Sequence, residues 1–320
     1  MKRALAIVLA ATVFSAAGAY GQTLPDGPIT IVIPFSAGGT SDTGMRILVD
    51  AVQRRTQKTF VIVNKPGGGG INAAVLVKEA RPDGLTLRLA DIGPDAILPS
   101  LERLPYDPLK DFQPISLLMS WDQFLTVPFA SNAMNLSELI ALGKSRKGGL
   151  TYGSQGIGSG GHLLGLMFQM GSGVALTHVP YKGGAPLSVD LAAGRIDMAF
   201  TSYREMKVPL QEKQVRILAS AGLRRSSLLP DVPTFAELGV ANVELSPWFG
   251  LVAPAGTQRQ FIDGIQNEFV GAVADTAVVK RLEELGIAAS ATTPEQFGAH
   301  IAREIEKYSA IARANTIDLR

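Results

Sequence analysis

The 320-residue chain contains no cysteine and only three histidines, His162, His178 and His300. Without thiols the chain can form no disulfide, offers no thiolate nucleophile and has no cysteine for a lipid anchor. None of the histidines lies in an H-E-x-x-H motif, and no serine lies in a G-x-S-x-G motif. These absences exclude thiol chemistry and the commonest zinc and serine-hydrolase sites, and we expect neither a catalytic residue nor a bound metal.

Long hydrophobic runs are also absent, because the apolar run from Ala4 to Phe14 is too short to span a bilayer as an anchor helix. This run follows Lys2 and Arg3, and small residues after it form two candidate cleavage triplets, 17–19 and 19–21. A basic, then apolar, then small-residue order is typical of a secretory signal peptide. We therefore predict that residues 1–21 are cleaved and that the rest is a soluble exported protein.

The charge shows no excess of either sign once the signal peptide is removed. The full chain has 30 Lys and Arg against 28 Asp and Glu, and the loss of Lys2 and Arg3 leaves 28 against 28. A neutral chain without basic runs lacks the electrostatic surface that binds nucleic acid or anionic lipid. We expect neither as a partner.

Short β-type runs alternate with longer helical ones along the chain. Strands are predicted at 29–33, 60–63 and 85–90, with helices at 40–55 and 71–80 between them. A βαβαβ order predicts a parallel sheet with helices on both faces. The alternation repeats from residue 136 to 200, and residues 258–318 read as almost wholly helical. Two α/β units and a helical tail predict two lobes, and we place the passages between them near Asp122 and Ser246.

Two loops join a strand to a helix through small residues, at 34–42 and 153–162. The first turn of a helix has unpaired N–H groups and a partial positive charge, and glycines let an anion approach them closely. Each loop therefore predicts a binding site for a carboxylate or phosphate. The alternative is that the loops are tight turns in which Ser41 and Ser159 are plain helix caps. Two such loops in facing lobes favour a ligand cleft.

The second loop also matches G-x-G-x-x-G at Gly156, Gly158 and Gly161. A dinucleotide site requires an acidic residue about 20 residues further on, and residues 178–183 contain none. We therefore expect no nucleotide cofactor. An exported hydrolase or isomerase remains the enzymatic alternative, although no nucleophile–base pair is evident.

Eight motifs in the same order resemble the periplasmic solute receptors of tripartite tricarboxylate transporters, the Bug receptors. The similarity extends from about Pro28 to Ala314. The motifs lie at residues 33–39, 63–70, 81–87, 106–112, 153–162, 178–183, 229–234 and 248–254. Each is ordinary alone, but the ordered set is specific.

The resemblance implies an α/β, type II periplasmic-binding-protein fold, with two lobes of parallel or mixed sheets, two strand crossings and a hinge. Lobe 1 would comprise 22–122 plus 247–320, and lobe 2 would comprise 123–246. The resemblance also implies binding rather than catalysis. Backbone N–H groups and ordered waters would hold a di- or tricarboxylate, an acidic amino acid or an aromatic acid such as nicotinate. The receptor, expected to be a periplasmic monomer, would deliver this ligand to inner-membrane permease subunits, or alternatively present it to a sensor kinase.

Matching motif positions predict the residues that contact the ligand from each lobe. Those of lobe 1 are Ala37, Gly38, Gly39, Thr40, Ser41 and Gly70. Those of lobe 2 are Ser154, Ser159, Gly160, His162, Tyr181, Lys182 and Gly183. Thr201 and Ser202 follow the predicted strand at 196–200, and we expect them to line the cleft as well. Lys182 would either balance an anion or be a solvated surface charge.

Asp91 departs from the family pattern, which usually has small residues after the strand at 85–90. If Asp91 faces the cleft, we expect it to select a ligand that carries a cationic nitrogen as well as a carboxylate. The alternative is that Asp91 caps the short helix near Pro94.

Overall fold

The computed structural model describes residues 23–315, so the predicted signal peptide, residues 1–21, lies outside the described residues. The first part of the chain alternates strands and helices as its apolar pattern predicts. Its elements are β1 (Ile29–Ile33), α1 (Thr40–Thr56), β2 (Phe60–Asn64), α2 (Ile71–Lys78), β3 (Thr86–Asp91), α3 (Leu98–Leu101) and β4 (Phe112–Trp121). Ile31 and Val32 of β1 point to opposite faces and both are buried. Burial on both faces is typical of a strand within a parallel sheet.

The second part repeats the alternation with its own strands. Its elements are β5 (Gln123–Pro128), α4 (Leu136–Ser145), β6 (Leu150–Ser154), α5 (Gly160–Ser172), β7 (Leu176–Pro180), α6 (Gly184–Ala192), β8 (Met198–Ser202), α7 (Tyr203–Gln211) and β9 (Val215–Ser220). The chain ends with β10 (Trp248–Pro254), α8 (Arg259–Val273), α9 (Thr276–Glu283), β11 (Ile287–Ala289) and α10 (Pro294–Asn315).

The strands form two separate sheets. The first has the order β11-β4-β10-β3-β1-β2, and the second has the order β7-β6-β8-β5-β9. β1 is parallel to β2 and β3, whereas β10 is antiparallel to both of its neighbours. In the second sheet β6 is parallel to its neighbours and β5 is antiparallel to its own. The predicted α/β fold is confirmed, with two sheets of mixed strand direction.

The chain passes between the sheets twice. Asp122 alone separates β4 in the first sheet from β5 in the second, and the return lies between β9 and β10. The strands on either side of each passage belong to different sheets, and hydrogen bonds between Ser36 and Lys182 and between Thr40 and Ser202 bring loops of the two sheets together. This topology positions the site.

The prediction that residues 258–318 are almost wholly helical is wrong at β11, which pairs antiparallel with β4 at the edge of the first sheet. The strand spans three residues, too few to show a period of two in the sequence. Its position is determined by the neighbouring strand, not by its own residues.

Candidate functional site

A cavity of about 40 Å³ lies between the two sheets. The residues that line it come from the ends of strands and the starts of helices in both sheets. They are Phe35, Gly39, Thr40, Ser41, Asp91, Ile92, Trp121, Gln123, Gln155, Ser159, Gly160, Gly184, Glu205, Pro247 and Phe249. The strand–loop–helix segments therefore meet at one place, as the two-loop pattern predicts.

The first helix to begin at this cavity is α1, and no side chain caps it. Its N-cap is Gly39, with φ −76° and ψ −179°. The preceding turn is held from outside the cavity, because the Asp42 carboxylate accepts hydrogen bonds from Gly38 N–H (3.0 Å), Arg46 Nε (3.0 Å) and Asn64 Nδ2 (3.1 Å). Burial alone would raise the pKa of Asp42, but these bonds hold it below its ordinary value. Thr40 and Ser41, the first two residues of α1, line the cavity, and no side chain caps this helix end.

The opposite loop leads into α5 and has its own side-chain cap. Ser159 Oγ accepts from His162 N–H (3.3 Å), and Gly158 N–H donates to His162 Nδ1 (3.0 Å). Gly158 has φ +76°, a left-handed conformation that favours glycine. Ser159 therefore caps α5 and also lines the cavity.

A stacked histidine pair lies next to this loop. The rings of His162 and His178 are 3.9 Å apart and almost parallel, and His178 Nε2 lies 2.6 Å from Ser154 Oγ. Burial, and then the neighbouring imidazole, lower the pKa of His162 to about 3, and burial lowers that of His178 to about 4. Both rings are neutral near pH 7, so His162 can accept the Gly158 N–H. Neither histidine nor Ser154 lines the cavity; they order the loop that does.

Two further helices begin at the cavity wall. α6 begins at Gly184, and its N-cap, Gly183, provides no side-chain hydrogen bond. The Glu205 carboxyl lies against this helix start, because a Cβ at Gly184 would overlap it. Glu205 belongs to the first turn of α7, where Ser202 and Glu205 form a reciprocal capping box. The N-terminus of α6 thus already faces a carboxyl group, whereas that of α1 has no side-chain cap.

The predicted site residues separate into two groups. Those that line the cavity are Gly39, Thr40, Ser41, Asp91, Ser159 and Gly160. Those outside its lining are Ala37, Gly38, Gly70, Ser154, His162, Tyr181, Lys182, Gly183, Thr201 and Ser202.

Several of the second group hold the loops in place. Ser202 Oγ and Thr40 Oγ1 share a hydrogen bond of 2.6 Å between the two sheets' loops. The Lys182 carbonyl accepts from Ser36 N–H (3.0 Å) and Ser36 Oγ (2.6 Å), whereas the Lys182 side chain is exposed.

The others are held within their own loops or away from the cavity. Tyr181 Oη donates to Asp190 (2.9 Å), and the buried hydroxyl of Thr201 pairs with that of Thr126 (2.8 Å). Gly70 packs against Pro94, and Ala37 is exposed.

Sequence reasoning missed most of the aromatic and amide lining. Phe35, Trp121 and Phe249 form one apolar wall, in which the ring centroids of Trp121 and Phe249 are 4.4 Å apart. Gln123 is buried immediately after the first passage between the sheets. The capping-box spacing from Ser202 to Glu205 was the one available signal for Glu205. No local pattern marks the aromatic residues, because distant strands bring them together.

The structure places Asp91 both at the cavity and at the turn that follows β3. Its Oδ1 accepts the Gly93 N–H (2.9 Å) at the start of the following helical turn, and the residue lines the cavity while being 3% exposed. Its Oδ2 has no hydrogen-bond partner among the described residues. Burial, and then the nearby Asp95 carboxylate, raise the pKa of Asp91 well above its ordinary value.

A buried ion pair lies behind Asp91. Arg88 and Asp95 are 0% and 1% exposed, and two hydrogen bonds of 2.5 and 2.8 Å join them. The same Asp95 oxygen that accepts from Arg88 Nη1 also accepts from the Asp91 N–H (2.9 Å). The pair therefore fixes the backbone at the end of β3. The carboxylate of Asp95 neutralises the charge of Arg88.

The lining as a whole suits binding of a small ligand. Its ionisable side chains are Asp91 and Glu205, and it contains no Lys, Arg or His. An anion in this cavity would be held by backbone N–H groups and helix termini, not by a basic side chain. Elsewhere in the part of the chain that the structure describes, no helix is long and apolar enough to cross a membrane.

Known proteins agree with this description. The chain is similar to protein BugT of Bordetella pertussis, with 31% identity over 324 residues that cover 100% of this chain and 99% of BugT. It is also similar in structure to a protein of R. palustris solved with adipate, with TM-score 0.86 and 30% identity over 91% of this chain and 97% of that one. The structure of MatC from Rhodopseudomonas palustris with bound malate is similar as well, with TM-score 0.85 and 28% identity. The match covers 89% of this chain and 98% of MatC.

A model of the tripartite tricarboxylate transporter family receptor matches residues 45–317. This match covers well over half of the chain and includes α1 from residue 45 onward, the second glycine loop and both passages between the sheets. The members of this family bind substrates and are not enzymes, so the hydrolase or isomerase alternative is set aside. The chain belongs to the tripartite tricarboxylate transporter receptor family, the periplasmic receptors that include the Bug proteins.

Proposed function

We propose that this protein binds a small carboxylate in the cavity between its sheets and delivers it to the permease subunits of a tripartite tricarboxylate transporter. The observation that carries the proposal is the uncapped N-terminus of α1 at a cavity whose lining has no basic side chain. Such a terminus can supply several N–H donors to one carboxylate group. The adipate and malate bound by the two R. palustris proteins support this chemistry.

The affinity that backbone donors can supply is sufficient for a receptor. A hydrogen bond to a charged acceptor contributes about 1.5–3 kcal/mol. Three or four such bonds, reduced by the cost of ordering, reach the roughly 8 kcal/mol of a micromolar complex. No arginine is required to hold the acid.

We further propose that the two lobes, 22–122 plus 247–320 and 123–246, close on the ligand about the two passages between the sheets. The contacts that join the loops support this proposal: Thr40 with Ser202, and Ser36 with Lys182. Each pairs a residue from the first sheet's loops with one from the second. A ligand that contacts both lobes would favour the closed state because it binds that state more tightly.

The signal peptide, residues 1–21, is part of the same proposal, since it would place the receptor in the periplasm. Its removal can be tested by N-terminal sequencing of the secreted protein. A mature N-terminus near residue 20 is expected, and retention of Met1 on the exported protein would contradict it.

Calorimetric titration of the mature protein with adipate, malate, succinate and citrate tests the binding proposal. We expect at least one acid to bind with micromolar affinity and to raise the melting temperature without being consumed. At about 100 times its Kd, the ligand should stabilise the fold by roughly 2.7 kcal/mol. Absence of binding by any small carboxylate to the folded protein would contradict the proposal.

A further inference from the structure

The cavity presents two buried acceptor oxygens without partners. Asp91 Oδ2 and Gln123 Oε1 have no hydrogen bond among the described residues, and their side chains are each 3% exposed. An unpaired buried acceptor costs about 1–3 kcal/mol, and more when it is charged. Both residues line the same cavity, so a ligand there is in a position to satisfy them.

Among the residues that the structure describes, no cationic side chain forms a hydrogen bond or an ion pair with Asp91. The guanidinium of Arg88 acts on Asp91 electrostatically, but it donates its two hydrogen bonds to Asp95. The other acid of the lining, Glu205, is already paired, because it accepts from Ser202 N–H (2.9 Å) and from the Gln155 side chain. Asp91 is therefore the ionisable group in the lining with an oxygen left free.

The wall formed by Phe35, Trp121 and Phe249 adds an apolar surface to the same cavity. Aromatic rings also attract a cation placed over their faces. A carboxylate that also bears an ammonium group and an apolar body would match the α1 terminus, the free Asp91 oxygen and this wall together.

We infer that this receptor selects carboxylates that also carry a protonated nitrogen, which Asp91 Oδ2 binds with Gln123 as a second acceptor. The inference rests on the proposed function, since it assigns the ligand class of the same cavity. It differs from a general preference for acids, because a plain dicarboxylate would leave Asp91 without a donor.

The opposite arrangement is a neutral Asp91 that donates a hydrogen bond to a ligand carboxylate. Asp95, Arg88 and Tyr106 are the titratable groups that act on Asp91 from its own side, and Glu205 lies on the other side of the cavity. Burial keeps Asp91 protonated to a higher pH than usual in the free protein. An ammonium ligand favours the carboxylate form, so its affinity should rise with pH and its binding should release a proton. A neutral donor to a carboxylate would give the reverse trend.

Calorimetry with matched ligands tests the inference on the whole mature protein. Each pair replaces an ammonium group by a methyl group of similar size: 4-(aminomethyl)benzoate against 4-ethylbenzoate, and 4-aminobutyrate against pentanoate. We expect the ammonium member of a pair to bind ten- to one-hundredfold more tightly, the range of one charge-assisted hydrogen bond. The preference should increase from pH 5 to pH 8.

The variant Asp91→Asn keeps the size of the side chain and an oxygen for Gly93 N–H, and it should bind both members of a pair equally at every pH. The control Asp231→Asn removes an acid that is exposed, and it should keep the wild-type preference. Melting temperatures identify any variant that fails to fold, in which case Asp91→Ser provides the same test.

The outcomes separate the two proposals. Equal affinity for the members of each pair in the wild type, or a preference that survives in Asp91→Asn, would overturn the inference while leaving carboxylate binding intact. An affinity for the ammonium members that falls with rising pH would favour the neutral-donor arrangement and also overturn the inference. If the folded protein binds none of these acids nor adipate, malate, succinate or citrate, the proposed function itself fails.

Discussion

Gly39 offers a direct way to fill the proposed carboxylate site with a carboxylate of the protein's own. Its φ and ψ are those of an ordinary N-cap residue. A Cβ at this position would lie 3.7 Å from the Ser36 carbonyl oxygen and 3.9 Å from Gly184 N, both normal contact distances. Gly39→Asp should therefore be accommodated, and its carboxylate should accept the first-turn N–H groups of α1.

The change should act in opposite directions on stability and on binding. An N-cap Asp exceeds Gly by a few tenths of a kcal/mol and gains about 0.3–1 kcal/mol from the helix dipole, so the melting temperature should rise by about 1–3 °C. A ligand carboxylate loses at least one charge-assisted hydrogen bond, about 1.5–3 kcal/mol. Repulsion between two carboxylates about 4 Å apart adds up to about 4 kcal/mol. Together these predict an affinity at least about one-hundredfold lower.

The assay is calorimetric titration with the tightest-binding acid, together with thermal unfolding of the free protein. Gly39→Asn is the matched control, because it fills the same space and caps α1 without a charge. We expect it to lose the hydrogen-bond contribution alone, about ten- to one-hundredfold in affinity, and to bind more tightly than Gly39→Asp because it lacks the charge repulsion. A folded Gly39→Asp protein that binds the acid as the wild type does would show that the carboxylate does not lie at the start of α1.

Three further predictions concern closure, the buried ion pair and acid stability. Ser36→Ala removes the hydroxyl that donates to the Lys182 carbonyl between the lobes, and calorimetry should show affinity lowered about two- to tenfold. Arg88→Met leaves the Asp95 carboxylate buried without its cation, and urea unfolding should show a loss of about 3–5 kcal/mol. Because the pKa of His178 is about 4 when folded and near 6.5 when unfolded, the unfolded state binds more protons between these values, and stability should fall as the pH falls through this range. In His178→Gln this slope should decrease by up to about 1.4 kcal/mol per pH unit.

Each of these three predictions has a result that would contradict it. Unchanged affinity in Ser36→Ala would remove support for closure through this contact. A stable Arg88→Met protein would mean that Asp95 is neutral or hydrated. Equal pH slopes for wild type and His178→Gln would mean that the imidazole is protonated in the folded protein as easily as in the unfolded one.

The parts of the fold that local pattern determines were predictable from the sequence. β1, the small-residue turn and α1 follow one another within 28 residues, Ile29–Thr56, so their periodicity and glycines specify both the elements and the helix start that faces the ligand. The same holds for β6, its glycine loop and α5. The short strand β11 was not predictable, since its pairing with β4 is what defines it.

The site was only partly predictable, because residues close to a glycine loop need not face its cavity. Tyr181 and Lys182 follow β7 as expected, but Tyr181 bonds to Asp190 in the next helix and Lys182 contributes its carbonyl. Glu205 and Gln123 reach the cavity because β8 and β5 are antiparallel neighbours, so that β5 begins where β8 ends; this placement depends on the strand order. The stacking of His162 on His178 likewise joins α5 to β7. These contacts depend on topology and not on spacing along the chain.

A crystal structure of the mature protein with the tightest-binding acid tests the central claim most directly. We expect a ligand carboxylate oxygen about 2.7–2.9 Å from backbone nitrogens at the start of α1, in the cavity between the two sheets. A carboxylate bound instead by basic side chains such as Lys182 or Arg204, with the α1 N–H groups turned to solvent, would contradict it.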